Sequence, residues 1–221
     1  MAADTLPHGL VAEIMLTGGP AAGKTTSLDF LARELRSRGY RVLVVPEMAT
    51  MVYTGGVPDV ADLAANRRKR YVATQGFMTT LQKAMREQYR TYAEGFEEPV
   101  VIIYDRGEMD CRAYLSAAEH RSILRRHGYK ARELRDAYDC VIHLRTAAGT
   151  PFGDMGNNPG RRESSAEEAI AADERTLAAW KGHPHLYVVD AHQHFAAKLE
   201  AVMAAIDETL ARREAELADL G

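Results

Sequence analysis

Eight consecutive residues near the start of the chain restrict its fold more than any other feature. Gly18-Gly19-Pro20-Ala21-Ala22-Gly23-Lys24-Thr25 satisfies the spacing G-x-x-x-x-G-K-[ST]. The stretch lies between an apolar run at 11–17 that reads as a strand and a helical pattern with Leu28, Leu31 and Leu35 that stops at Gly39. That strand–loop–helix setting gives the spacing its physical meaning. Gly18 and Gly23 permit a backbone that turns successive N–H groups toward one anion. A helix starting at Lys24 adds the positive end of its dipole. Lys24 brings a point charge to the outer phosphates, and Thr25 brings a hydroxyl to Mg²⁺. The predicted nucleotide-binding stretch therefore comprises Gly18, Gly19, Pro20, Ala21, Ala22, Gly23, Lys24, Thr25 and Thr26.

Further short apolar runs at 41–45, 100–104, 140–144 and 186–189 alternate with longer helical patterns. Such alternation predicts an α/β fold, a three-layer sandwich with a five-stranded parallel sheet between helices. Residues 48–58 hold no charge and contain Gly55, Gly56 and Pro58, which reads as a loop. Residues 62–94 read as a helix or helix pair, with Tyr71, Met78, Met85 and Tyr92 on one stripe and Gln75, Gln82 and Tyr89 interleaved on it. Helices are expected to fill 107–138. The stretch 146–162 is rich in Gly, Pro and Asn, and a mobile lid over about 146–165 is predicted. A helix then begins near Ser165, where Ser165 and Glu168 fit a capping box, and ends at Gly182; the last helix spans 193–217. Neither an internal repeat nor a linker interrupts the chain, so residues 1–221 are expected to form one domain.

Composition removes other classes. Twenty-eight basic against 31 acidic residues give a net charge of −3, so the overall field favours neither nucleic acid nor anionic membrane. Two cysteines, Cys111 and Cys140, exclude a disulfide scaffold and suit a reducing compartment. The opening MAADTLPHGL lacks the basic stretch and apolar run of a secretion signal, and no apolar run approaches bilayer length. A cytoplasmic protein with no membrane partner is expected.

Two carboxylates stand at predicted strand ends. Asp105 closes the third strand, where a carboxylate can hold Mg²⁺. Glu47 follows the second strand after Pro46, and the carboxyl ends of strands in such a sheet line the ligand crevice. One carboxylate could take the proton of an attacking hydroxyl while the other handles the metal; the alternative for Glu47 is a solvated loop carboxylate. Arg161 and Arg162 in the predicted lid could close on a transferring phosphoryl group, or form a basic surface turn. No N-K-x-D stretch marks a guanine-reading switch. The expected donor is Mg–ATP, with GTP as the alternative.

The segments GGPAAGKTT, VVPEMAT, YDRGEMDCRAYL and GRRESSAEEAIAADERTLAAWKGHPHLYVVD resemble an AAA-type P-loop ATP/GTP-binding family over about residues 11–190. That family includes the nucleotide-binding domain of a channel translocation factor. The chain is also similar to ribosylnicotinamide kinase domains and, more distantly, to deoxynucleoside and thymidylate kinases. The resemblance implies a kinase acting on a nucleoside, nucleotide or related hydroxyl acceptor, with a nucleotide-dependent binding module as the alternative. It implies Glu47 as base, Arg106 as a contact to substrate or phosphate, Arg161 and Arg162 as lid arginines, and Gln75 as a base-reading residue. The channel factors carry a further C-terminal domain, for which these 221 residues are expected to be too few.

Other polar residues stay open. Gln75 and Gln82 need partners on an apolar stripe, either a substrate or a nearby backbone carbonyl. Asp173 lies inward beside Ala169, Ile170, Leu177 and Trp180, and is expected to pair with a lid arginine or Arg106. The basic run Arg67-Arg68-Lys69-Arg70 is either a solvated face or a contact for a phosphorylated acceptor. His183, His185, His192 and His194 lack the companions of a metal site, although a contact to a nucleotide base is open to them.

Overall fold

The computed structural model describes residues 9–58, 60–149, 165–191 and 195–219, with only the backbone of 60–62. Strands β1 (Val11–Gly18), β2 (Arg41–Val45), β3 (Val100–Asp105), β4 (Cys140–Leu144) and β5 (Leu186–Val189) form one sheet in the order β2-β3-β1-β4-β5, every neighbouring pair parallel. This is the predicted α/β sandwich.

The period of two along β1 divides the core. Ala12, Ile14 and Leu16 face one side, against Leu28, Leu31 and Leu35 of α1 (Lys24–Ser37) and Val202, Ile206 and Leu210 of α8 (Phe195–Ala218). Val11 and Met15 face the other side. There the core takes in Met48 and Val52 of α2 (Met48–Thr54) and Met78 of α4 (Arg68–Ala93). Met109 of a 3-10 helix (Glu108–Tyr114) and Trp180 of α7 (Ala166–Trp180) complete it. The helical segments after β1 and β3 thus leave toward opposite faces although the two strands are adjacent. Their carboxyl ends open a crevice at the switch point, where ligands of such sheets bind. Leu16 pairs with Asp105, so the phosphate loop and Asp105 emerge side by side.

Two local expectations need correction. Residues 48–54 are helical rather than a loop, because Met48 and Val52, four apart, are both buried and the glycines begin only at Gly55. The 62–94 segment is a pair, α3 (Val60–Asn66) and α4. Tyr92 leaves the buried stripe of α4, at 63% exposed, and packs edge-on against Phe96. A seven-residue repeat drifts about 20° per step on a straight helix, so three steps carry Tyr92 off the face that begins at Tyr71. Ser165 caps α7 as expected, its Oγ accepting from Glu168 N at 3.2 Å. The stretch 150–164, with Arg161 and Arg162 and most of the predicted lid, lies outside the described residues. Between α4 and β4 stand α5 (Ala117–His127) and α6 (Ala131–Arg135) in the region predicted helical.

Candidate active site

The phosphate loop is strained into shape and braced from outside. Gly18 has φ +150°, and a Cβ there would lie 2.2 Å from the Leu144 carbonyl oxygen, so the first glycine is required by β4 itself. Ala21 takes φ +55° without being glycine. Gly23 caps α1 with φ +80°, no side chain caps it, and the first turn of α1 holds no acidic residue, which leaves the helix end open to an anion. The carbonyls of the loop are drawn outward. Arg106 Nη1 donates to Gly18 O at 3.3 Å, Thr146 Oγ1 donates to Pro20 O, and Lys198 Nζ donates to Ala22 O at 2.9 Å. Carbonyls held outward leave the loop amides available to an anion, apart from that of Gly19, which donates to Asp173 Oδ1; this is preorganisation of the kind an oxyanion site needs. Lys24 Nζ rests on Gly18 O and Gly19 O at 3.3 and 3.1 Å.

Asp105, Arg106 and Glu47 surround the lysine. Arg106 has φ +69°, a costly backbone for a residue with a Cβ, and its N–H donates to Leu16 O at 3.0 Å. The twist aims its side chain back across the sheet, where Nε donates to Glu47 Oε1 at 2.6 Å. Thr50 Oγ1 donates to the other oxygen of Glu47 at 3.0 Å. Gly107 follows because Trp180 leaves no space: a Cβ would meet its Cζ2 and Cη2 at 2.8 Å. Burial would raise the Glu47 carboxyl, but Arg106 and Lys24 prevail and hold it below the ordinary range. Lys24 is pushed down to about 8, first by burial and then by Arg106, against the pull of Asp105, Glu47 and Asp110. Asp105 is raised by burial and by Glu47 and Asp110, despite Lys24 and Arg106.

Asp105 Oδ1 is also buried without a hydrogen-bond partner. A carboxylate raised in this way costs the ligand-free fold stability at neutral pH. The penalty is absent below the ordinary Asp value, where both folded and unfolded states are protonated, and grows as pH rises through the folded value. Asp105→Asn is therefore expected to raise the melting temperature of the ligand-free chain at pH 8, with a gain that shrinks as pH falls toward the ordinary Asp value. Thermal unfolding across that range checks it.

A cleft of about 470 Å³ of empty space opens beside this cluster, lined among others by Glu47, Gln75, Met78, Gln82, Arg106, Asp110 and Tyr114. Gln75 and Gln82 are 2% and 4% exposed, and the Nε2 of each has no partner. No backbone carbonyl among the described residues pairs with either Nε2. An unpaired buried donor costs about 1–3 kcal/mol. Arg67, Lys69 and Arg70 are exposed and stand outside the cleft lining, and Arg68 is held by both oxygens of Glu119 at 2.8 and 2.6 Å.

Asp173 corrects a further expectation. Its Oδ1 accepts from the Gly19 amide at 2.9 Å and lies 3.0 Å from His143 Nε2, while Oδ2 lies 3.1 Å from Arg145 Nε. Its arginine is thus Arg145, at the exit of β4, and not Arg106, at the exit of β3; a lid arginine falls outside the described residues. Asp173 is fully buried, so Asp173→Ala leaves the Gly19 amide and His143 Nε2 without their acceptor and Arg145 with Glu174 alone. A loss of about 3 kcal/mol of folding stability is expected, with weaker ATP binding; urea unfolding and calorimetry measure both. Thr146, Lys198 and Asp110 were missed by sequence reasoning. Only Lys198 left a signal, as a lysine four residues before Val202 on the buried face of α8. Asp110 accepts from Thr17 Oγ1, Trp180 Nε1 and Gly107 N, at 2.6, 3.2 and 2.8 Å. His183 donates from Nε2 to Tyr138 O and accepts from His185 N, so both ring nitrogens are spent structurally; His192 and His194 lie outside the described residues. Cys111 and Cys140 are free and buried, and burial pushes each thiol up to about 12. No helix among the described residues is long and apolar enough to cross a membrane.

The solved structure of deoxyadenosine kinase from M. mycoides with bound dATP shares this fold, with a TM-score of 0.59 at 19% identity over 90% of this chain and 99% of that one. No curated protein matches the chain. The AAA domain profile matches residues 13–198, from the middle of β1 to Lys198 behind the phosphate loop. With that match spanning every strand of the sheet and every described residue of the cluster, the chain belongs to the AAA domain family of P-loop nucleotide-binding proteins.

Proposed function

We propose that this chain is an ATP-dependent small-molecule kinase that transfers the γ-phosphoryl group to a hydroxyl of a nucleoside-like acceptor. One observation carries the reading. Arg106 joins the Gly18 carbonyl of the phosphate loop to Glu47, and Glu47 and Arg106 both line the cleft. A carboxylate able to take a proton is thereby fixed beside the place where a terminal phosphate would lie. The kinase-type structural neighbour supports a nucleoside as the first acceptor class to test.

The amides of residues 21–26 would receive the triphosphate, with Lys24 on its outer oxygens; Pro20 has no N–H, and the Gly19 amide is held by Asp173. The orphaned oxygen of Asp105 and the exposed hydroxyl of Thr25 suit a hard cation, and these two residues would hold Mg²⁺. When bound, Mg²⁺ supplies positive charge to the β- and γ-phosphate oxygens. Glu47 accepts the hydroxyl proton as the acceptor oxygen bonds to phosphorus; the bond from phosphorus to the bridging oxygen breaks, ADP leaves with the electron pair, and the proton passes from Glu47 to water. Phosphoryl transfer leaves little other covalent work to the protein, so placement of Glu47 by Arg106 and Thr50 is its main contribution. Arg161 and Arg162 are proposed to close on the transferring group and exclude water.

The test is ADP release from Mg–ATP, with GTP in parallel, across a panel of nucleosides and pyridinium ribosides. Acceptor-dependent release is expected. A preparation that binds ATP and releases ADP at the same slow rate with every acceptor and with none would overturn the reading.

A further inference from the structure

We propose that Lys198 is a positioning residue of the nucleotide site: from behind the phosphate loop its buried ammonium polarises the Ala22–Gly23 peptide, turns the Gly23 N–H toward an outer phosphate, and takes that phosphate as its counterion. The arrangement needs no acceptor and no transfer step, so it stands or falls apart from the kinase reading. Lys198 lies on α8 and is 4% exposed. Its Nζ donates to Ala22 O and to Arg145 O, each at 2.9 Å, which joins α8 to the phosphate loop and to the exit of β4. The first ground is unbalanced charge. Both acceptors are neutral carbonyls, and among the described residues no carboxylate is bonded to Lys198. Asp173 acts on it through space, but the oxygens of Asp173 face Gly19 N, His143 and Arg145. A buried cation with no bonded anion is costly. An anion seated in the loop, on the far side of the peptide that Lys198 holds, would balance it.

The second ground is geometry. In a trans peptide the C=O and the N–H point in opposite directions. An Ala22 carbonyl drawn to Lys198 therefore turns the Gly23 N–H away from α8, and among the described residues nothing accepts from it. The other loop peptides are built differently. Gly18–Gly19 has Arg106 on its carbonyl, but its N–H is held by Asp173. Gly19–Pro20 has no N–H to offer. Pro20–Ala21 has the neutral Thr146 hydroxyl on its carbonyl, and Ala21–Ala22 has the Ala147 amide at 3.4 Å. Among these, Ala22–Gly23 alone combines a cation on the carbonyl with a free N–H. A hydrogen bond at one end of a peptide strengthens the one at its other end. Lys24 Nζ, which serves the outer phosphates, rests on Gly18 O and Gly19 O at the start of the loop. The outer phosphates therefore run toward that start and the innermost toward Thr26, which assigns Gly23 to a phosphate beyond the first.

The experiment measures Mg–ADP and AMP on the full chain by displacement of a fluorescent ADP analogue, for the parent, Lys198→Met and Lys198→Arg. Lys198→Met is expected to weaken ADP about tenfold or more and AMP less than about threefold, and Lys198→Arg to restore most of the ADP affinity. A purely structural lysine gives another pattern: losing it leaves two buried carbonyls unpaired and loosens the loop for both nucleotides alike. Unchanged ADP affinity, or a loss shared equally by ADP and AMP, therefore overturns the proposal. A spectroscopic readout stands beside the affinities. Labelling alanine at the carbonyl carbon and glycine at nitrogen selects two peptides, Ala22–Gly23 and Ala148–Gly149. The Gly23 amide proton is expected to move upfield in Lys198→Met as the polarising charge is removed, and an unmoved signal overturns the proposal. Should the methionine variant not fold, Lys198→Gln, which keeps an amide donor without the charge, replaces it in both measurements. If neither folds, the parent decides: the Lys198 Nζ resonance, assigned by its loss in Lys198→Arg, should move with Mg–ADP and not with AMP, and an indifferent resonance overturns the proposal. A parent that binds neither nucleotide overturns it together with the phosphate site. A parent that binds ADP in the expected pattern and phosphorylates no acceptor supports it and removes the kinase reading alone.

Discussion

Lys24→Met is expected to give a folded chain with kcat/KM for ATP lowered about 10³-fold, the scale of losing one preorganised donor to a transition-state oxyanion. The ammonium rests on Gly18 O and Gly19 O, close to the two φ-strained glycines of the loop, and neither oxygen carries a full charge. Burial and the neighbouring Arg106 push it down to about 8 in the ligand-free chain. A base lowered on folding costs stability wherever it is charged, so the penalty is present in full below about pH 8. Methionine has a similar length and no charge; its ligand-free melting temperature at pH 7 should equal or exceed that of the parent. The same titration gives a second signal. A triphosphate restores the ordinary preference for the ammonium, so ATP binding near pH 8 should take up protons. Calorimetry in buffers of different ionisation enthalpy reads this uptake, and Lys24→Met should abolish it. Unchanged ATP affinity in the methionine variant would remove Lys24 from the phosphate site.

The parts of this site that sequence made legible are those set by local chain geometry. The phosphate loop, the apolar strands and Asp105 at the end of one of them each depend on a few neighbouring residues. Glu47 was legible as a strand-end carboxylate because Pro46 stops β2. What was not legible depends on contacts between distant segments. Asp173 meets the Gly19 amide 154 residues away, and Lys198 meets Ala22 176 residues away. No spacing rule encodes which strand exit a helix face will meet, and so Arg145 was not foreseen as the partner of Asp173. The left-handed backbone of Arg106 was hidden for a related reason. The residue type disfavours it, and only the Leu16, Gly18 and Glu47 contacts together hold it. Gln75 and Gln82 stand between. Periodicity placed both amides inward, but only the cleft shows that they face open space.

Glu47→Gln is expected to lower kcat about 10²–10⁴-fold, the usual contribution of a positioned general base, with the KM for ATP nearly unchanged. The substitution is close to isosteric: the amide oxygen can still accept from Arg106 Nε, and the NH2 in the place of the other carboxylate oxygen can donate to Thr50 Oγ1, so the wall of the cleft should survive. What is lost is the negative charge and the capacity to take a proton. The pH profile separates this from a packing effect. Arg106 and Lys24 hold the Glu47 carboxyl below the ordinary range despite burial, so the group is ionised throughout neutral pH. Its contribution to kcat should be flat there and should fall only in acid, below the ordinary carboxylate range. Replacing Arg106 by Gln removes the cation that opposes burial, and the acid limb of kcat should then move to higher pH. A glutamine variant with unaltered kcat, or an acid limb indifferent to Arg106, would leave Glu47 as a structural ligand of the arginine and would require the proton to leave by another route.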